Sequence, residues 1–422
     1  MKRSLPIALM VLFFACGCGR DIKKLMPPPE LYASGDLDPF AGKSTDYAVM
    51  FATDRNVVDT DKPKKRFGNE RGEGLHIGRA TVRIGGGTRS WEQVEEESRA
   101  GRQLPIDLLK VEDFGMLAGT YWEEGVDRAG EWTDAAYEAD RKFYAAVNEE
   151  LQRTKSNRIV FYCTGFNANF SWPIQMAGQW AHFTARDALW LSFCWASSNS
   201  TFAYVKDAGT SGLSIRRARE LILGLAQHTN VEKIDIIAYS FGAVIVSDAL
   251  VEIRLKHQGQ SPEQLKSLKI GAVYYVAPDE DLAMFRNMFL DNVEDLWDSV
   301  HVYTSESDGA IGMSRSFYSK YPRLGRSITE LTPEDLRALA AARKSGFVEC
   351  GHAQKRAGKG KSGHGYWYGN PWVSSDIALS LRTRRAPDKR GLVRSEGAAI
   401  WEFPEDYPAR IAKIASDVAA GR

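Results

Sequence analysis

IDIIAYSFGAVIVSDAL, running from Ile234 to Leu250, decides the reading of the fold. Residues 234–239 read as a buried β-strand, and residues 241–257 have the apolar spacing of a helix. Between them, A-Y-S-F-G (238–242) places one hydroxyl, Ser240, on the turn. Small residues at Ala238 and Gly242 let the chain bend sharply there. Such a turn exposes a serine Oγ at the carboxyl end of a sheet with a helix N-terminus behind it. A serine that only caps the helix is the plainer alternative.

The pattern continues on both sides. Strand-like runs are predicted at Tyr47–Thr53, Ala80–Ile84, Arg158–Thr164, Leu189–Trp195, Gly271–Ala277, Val300–Ser305 and Phe347–Gly351. Helical spacing covers Pro173–Asp187 and Leu213–His228, and Thr332-Pro333-Glu334-Asp335 reads as a further helix start. KPKKRFGNERGEG (62–74) reads as a polar loop and IGGGTRS (84–90) as a turn. Strands alternating with helices imply βαβ units, an α/β fold and a mostly parallel sheet covered on both faces. The continuous apolar strands fit that burial.

A serine hydroxyl is a weak nucleophile without a base, and the base needs an orienting acid. In this architecture the chain order is Ser, acid, His. His352 and His364 both follow the last strand. His364 lies in GHGYWYGN, a glycine-rich loop, and is the favoured base. Asp308, in SESDGAI after its strand, is the favoured acid; Asp279 and Asp281 in VAPDED compete, with helix capping as their plainer role. Backbone N–H groups must meet the oxyanion. Phe241 follows the nucleophile, and Phe166 lies in FYCTGFNANF, the loop after an early strand. Cys350, His352 and His364 give a C-x-H spacing with no evident fourth ligand, so no metal site is expected, and the chemistry requires no organic cofactor.

The 422 residues have 44% hydrophobic content and a net charge of +1, so nothing in the overall charge points to nucleic acid. Lys2 and Arg3 followed by the apolar run Leu5–Ala15 read as an export signal. Its end, F-F-A-C-G-C-G, resembles a bacterial lipobox, with Cys16 preferred to Cys18 as the lipidated residue. That implies an exported chain held at the cell envelope by its lipid. Residues 1–18 are then the signal, 19–45 a tether or wrapping arm, 46–385 the main domain and 386–422 a basic extension with a solvated face. Cys163, Cys194 and Cys350 read as small buried thiols, with a Cys163–Cys194 pair as the alternative. KRAGKGKSG (355–363) puts four cations just before His364 and reads as a solvated loop. Trp172, Trp180, Trp190 and Trp195 read as core, with Trp172 also a candidate for an acyl pocket.

Taken together, these motifs resemble a bacterial family of α/β-hydrolases, the domain-of-unknown-function 900 group. The likeness runs from about Leu25 to Asp376 through LMPPPELY, VMFATDRN, RGEGLHIGRATV, FYCTGFNANF, SFCWASS with the following YVKD, IIAYSFG, VAPDED, YTSESDGAIGMS and GHGYWYGNPWVSSD. It implies an α/β-hydrolase fold and a triad of Ser240, Asp308 and His364, in agreement with the residues read on their own. Thr164 stands where the family usually has His before Gly, and Tyr239 where it usually has His before Ser. The expected activity is cleavage of an acyl bond, by default a carboxylic ester, in a small-molecule or lipid substrate. The alternative is a lipid-anchored binding or structural protein on a retired hydrolase scaffold.

Overall fold

The structure is a computed structural model. It describes residues 21–33, 42–120, 137–198, 203–290, 293–316, 320–326, 331–334, 345–356, 363–395 and 400–419, and the single residues 200 and 337. The expected signal with Cys16 and Cys18, most of the helix expected after Thr332 and most of the cationic loop before His364 lie outside the described residues.

A short helix, α1 (Glu30–Ala33), precedes β1 (Asp46–Val57), β2 (Phe67–Ile84), α2 (Trp91–Arg99), β3 (Ile106–Met116) and α3 (Glu138–Leu151). Strand and helix then alternate through β4 (Arg158–Cys163), α4 (Ser171–Phe183), β5 (Leu189–Phe193), α5 (Tyr204–His228), β6 (Lys233–Tyr239), α6 (Gly242–Lys256), β7 (Ile270–Val276), β8 (Ser299–Thr304), α7 (Gly309–Ser314) and β9 (Ser345–Glu349). Next come α8 (Gly351–Arg356), α9 (Tyr366–Gly369), α10 (Pro371–Thr383), β10 (Val393–Arg394), β11 (Ile400–Glu402) and α11 (Tyr407–Ala419). The strands form one sheet in the order β10-β11-β9-β8-β7-β6-β4-β5-β1-β2-β3. From β11 to β1 all neighbours are parallel. β2 and β3 add antiparallel at one edge and β10 at the other. The central strands β4 to β7 are buried almost throughout, as a sheet covered on both faces demands.

Two apolar clusters fill the two faces. One is packed beneath α1, α2, α4, α10 and α11, the other beneath α3, α5 and α6. Every residue of α4 is buried, including Gln175, Gln179 and His182. Buried polar groups need partners, and the N-terminal arm supplies those of the two glutamines. Gln175 Oε1 accepts from the Ile22 N–H at 2.9 Å, and Gln179 Oε1 from the Met26 N–H at 2.8 Å. His182 meets the Tyr47 hydroxyl at 2.6 Å and the Ser98 hydroxyl at 2.9 Å. Residues 21–33 are therefore a strap fixed to the domain, with Leu25, Met26, Leu31 and Tyr32 in its core.

Two expectations are corrected. Residues 67–74, expected in a polar loop, belong to β2, which is exposed or half-buried from Gly68 to Glu73 and alternates only over Arg79–Ile84. The basic segment after residue 385 is no solvated extension: β11 extends the main sheet beside β9, and α11 packs on α1 and α10. One of its cations is neutralised inside the core. Fully buried Arg390 donates to Asp376 Oδ1 at 2.9 Å and to Ser380 Oγ at 2.7 Å, and Arg384, just before the segment, pairs with Asp235 at 2.7 Å. Cys163, Cys194 and Cys350 are buried free thiols, as read, and the alternative Cys163–Cys194 pair does not form. Trp180, Trp190 and Trp195 are core residues, as read.

Candidate active site

Three turns at the carboxyl ends of neighbouring parallel strands converge on Ser240. The first is the elbow between β6 and α6. Ser240 has φ +54°, a left-handed conformation that a non-glycine residue rarely holds. Its N–H donates to the Val276 carbonyl at 3.2 Å, and its carbonyl accepts from the N–H groups of Ala243 at 3.0 Å and Asp279 at 3.1 Å. Those bonds fix the strained residue between two strands. The turn also needs glycine on both sides. A Cβ on Gly242 would lie 2.6 Å from the Cys163 carbonyl oxygen, and one on Gly165 would lie 2.7 Å from Ser240 Cβ. The position of Gly165 brings the β4 loop directly against the serine.

The second turn follows β8. Asp308 is fully buried and caps α7, its Oδ1 accepting from Ala310 N–H at 3.0 Å and Ile311 N–H at 3.2 Å. Oδ2 is left to meet His364 Nδ1 at 2.8 Å. The third turn carries His364, just ahead of α9. Its Nε2 lies 2.9 Å from Ser240 Oγ. With Nδ1–H donating to Asp308, Nε2 is the free acceptor for the serine hydroxyl, so the series can move the Oγ proton onto the imidazole. Both Ser240 and His364 are under 8% exposed. Burial is the largest influence on His364 and disfavours its cation. The Asp308 charge and hydrogen bond, with the charge of Asp279, outweigh it and hold the pKa above the ordinary 6.5.

The turn that carries His364 is pinned down. The Tyr366 hydroxyl donates to the Tyr303 carbonyl at 2.6 Å, and Trp367 stacks on Trp180 with centroids 5.5 Å apart. Gln354 bridges two of the three turns: its Nε2 donates to the Gly363 carbonyl at 3.2 Å and its Oε1 accepts from the Ser305 hydroxyl. The competing candidates go elsewhere. His352 lies on α8 and has no hydrogen bond to Ser240 or Asp308. Asp281 caps the next turn through Ala283 and Met284. Asp279 faces Tyr204 and Ser314 rather than the histidine ring.

Phe166 and Phe241 flank the serine on opposite loops, and neither backbone N–H has a hydrogen-bond acceptor among the described residues. The loop bearing Phe166 is held from behind. Arg55 donates to the Ala168 carbonyl at 2.6 Å, and Asn167 N–H donates to Ser197 Oγ at 2.6 Å. Arg55, Gln354 and Ser197 drew no notice in the sequence, because a residue that braces a loop from elsewhere in the chain leaves no local pattern. Thr164 and Tyr239, the two departures from the family pattern, are both buried. Tyr239 lies between the rings of His364, 5.1 Å away, and Trp172, 6.0 Å away. Both therefore act on the packing behind the site, and Trp172 joins that packing at 2% exposure.

Residues 139–384 match the model of the family described as alpha/beta hydrolase of unknown function (DUF900). The chain belongs to this family. The DUF900 match begins in α3 and runs to the end of α10, so it holds all three turns around Ser240. Among solved structures, a protein described as a "putative cell surface hydrolase" from Lactobacillus plantarum WCFS1 is similar at 10% identity, over 56% of this chain and 95% of its own, with a TM-score of 0.31. A likeness that slight carries no argument about the site. No curated protein matches the chain. No cluster of three metal-ligating side chains occurs among the described residues.

Proposed function

We propose that this DUF900 α/β-hydrolase is a serine hydrolase that cleaves carboxylic esters through an acyl-enzyme. The observation that carries the reading is the unbroken series Asp308 Oδ2, His364 Nδ1, His364 Nε2 and Ser240 Oγ, with links of 2.8 and 2.9 Å. Ser240 Oγ attacks the ester carbonyl carbon while its proton passes to His364 Nε2. Asp308 holds the imidazole in the required tautomer and favours the imidazolium. The N–H groups of Phe166 and Phe241 receive the oxyanion. The carbon–oxygen bond to the alcohol then breaks, and the alcohol leaves with the proton from Nε2. Water repeats the sequence: it gives a proton to Nε2, attacks the acyl carbon and releases Ser240 and the acid. We further propose that lipidation at Cys16 holds the enzyme at the surface of a bacterial membrane, where it meets small-molecule or lipid acyl substrates.

The test is labelling of the full chain with a fluorophosphonate, in which Oγ displaces fluoride from phosphorus. Labelling is expected in the wild type, abolished by Ser240→Ala, reduced at least about a hundredfold by His364→Ala and retained by His352→Ala. A folded wild type that does not label would overturn the enzyme reading and favour a binding protein on a hydrolase scaffold.

A further inference from the structure

Asp279 is 4% exposed, yet it carries a carboxylate beside the site. A buried carboxylate is costly unless several groups satisfy it. Here its Oδ2 accepts from the Tyr204 hydroxyl at 2.8 Å and its Oδ1 from Ser314 Oγ at 2.7 Å, while Arg323 Nε lies 3.6 Å from Oδ1. Its own N–H donates to the Ser240 carbonyl. Ser314 ends α7, the helix that Asp308 begins. Tyr204 opens α5, and its ring meets Phe166 edge-on at 5.2 Å and Phe241 at 5.7 Å. One residue thus touches the elbow through its backbone N–H, and its carboxylate reaches the acid helix through Ser314 and both oxyanion phenylalanines through Tyr204.

We propose that Asp279 and Tyr204 are a positioning pair: they hold the elbow, the acid helix and the two loops bearing the oxyanion N–H groups in register, and the Asp279 charge supports the imidazolium of His364. This rests on the serine-hydrolase reading. Neither residue touches the reacting atoms. A carboxylate that served the fold alone could be replaced by an amide, whose oxygen accepts from one of the two hydroxyls and whose NH2 donates to the other. A charge that serves the histidine could not. Among the described residues, Asp279 and Asp308 are the carboxylates whose charge favours the protonated form of His364. The polar and charged groups facing Asp279 are Tyr204, Ser314 and Arg323; those facing His364 are Ser240, Asp308 and the Tyr239 ring.

The experiment measures the rate of fluorophosphonate labelling from pH 5 to 9 for the full-length wild type, Asp279→Asn, Tyr204→Phe and Tyr204→Ala, normalised to folded protein by circular dichroism. His364 works as a base in its neutral form, so labelling falls as pH drops through its pKa. Removing the Asp279 charge lowers that pKa. The acid limb of Asp279→Asn is therefore expected to move down by about half a pH unit or more, with a plateau rate about tenfold below wild type. Tyr204→Phe keeps both ring contacts and the Asp279 charge, so it is expected to lose rate without moving the limb downward. Tyr204→Ala, which removes the ring between Phe166 and Phe241, is expected to be slower again. An Asp279→Asn profile that coincides with wild type in midpoint and plateau overturns the proposal, as does a Tyr204→Ala rate equal to wild type. A wild type that never labels would instead sink the serine-hydrolase reading, so the two failures are distinct.

Discussion

Glu280 is the sharpest test of the electrostatics around the elbow. It follows Asp279, is 5% exposed, and accepts a hydrogen bond from Ser247 Oγ at 2.8 Å; Ser247 in turn meets the Tyr275 hydroxyl at 3.0 Å. Burial pushes its pKa from 4.5 up to about 8. The Ser247 bond and Arg323 oppose this rise, while the charges of Asp248 and Asp281 add to it. The folded value is raised, so the stabilisation is fully present below 4.5 and is lost as pH climbs through about 8. Across that interval the unfolded chain has released a proton that the native state still holds. At about 1.4 kcal/mol per pH unit, the loss has a ceiling of about 5 kcal/mol; local relaxation brings the expected figure to about 2–4 kcal/mol. Glu280→Gln keeps the shape and the acceptor for Ser247 but cannot ionise. Urea unfolding of both proteins from pH 4.5 to 9 checks this. The variant should be close to wild type at the acid end and more stable by about 2 kcal/mol or more at pH 9. Parallel curves for the two proteins across the whole range would refute the reasoning.

Two further substitutions test the packing. Gly165→Ala would put a methyl 2.7 Å from Ser240 Cβ and 3.1 Å from the Tyr239 carbonyl oxygen. The displaced elbow should label with fluorophosphonate about a hundredfold more slowly while its circular dichroism matches wild type; an unchanged rate would mean that the loop yields instead. Arg390→Met strands Asp376 in the core, since both side chains of that pair are fully buried. Urea unfolding should report a loss of about 3–5 kcal/mol, and replacing both partners with apolar residues should recover most of it; a loss below about 1 kcal/mol would show that the pair is not buried in solution.

How far the sequence can be read depends on how local the governing interaction is. The elbow was legible because strand, strained serine, small residues and helix all fall within Ile234–Leu250, and positive φ at Ser240 is the conformation that such a turn demands. The parallel strands were legible because burial on both faces leaves unbroken apolar runs. β3 is the edge strand and β2 lies just inside it; Gly68–Glu73 of β2 has no buried residue and so resembles a loop, while the period-2 signal of β3 is broken by register shifts opposite Ile77/Gly78 and Thr81/Val82. β11 was illegible for another reason. It has three residues, and the segment around it reads as solvated charge because Asp235 and Asp376, the acids that neutralise Arg384 and Arg390, lie outside it.

The site divides in the same way. Each of its three turns obeys a local rule: a serine between strand and helix, an aspartate capping α7, a histidine among glycines after the last strand. Choosing His364 over His352 needed more, because the two lie twelve residues apart on the same side of β9 and only the path of the chain decides which reaches Ser240. What the sequence hid is the coupling between turns. Tyr204 lies 75 residues from Asp279, and Ser314 lies 35 residues beyond it. Gln354 is 49 residues from Ser305 and nine from Gly363. A parallel sheet forces this division. It delivers strand ends side by side from distant parts of the chain, so the residues that react can be specified one turn at a time. The residues that keep those turns in register must reach across connections that the sequence does not mark. In the sequence alone, Tyr204 carries no signal of a role and Asp279 reads only as a rival acid. Each gains meaning once the other is beside it, which is why the pair emerges from the fold and not from either segment alone.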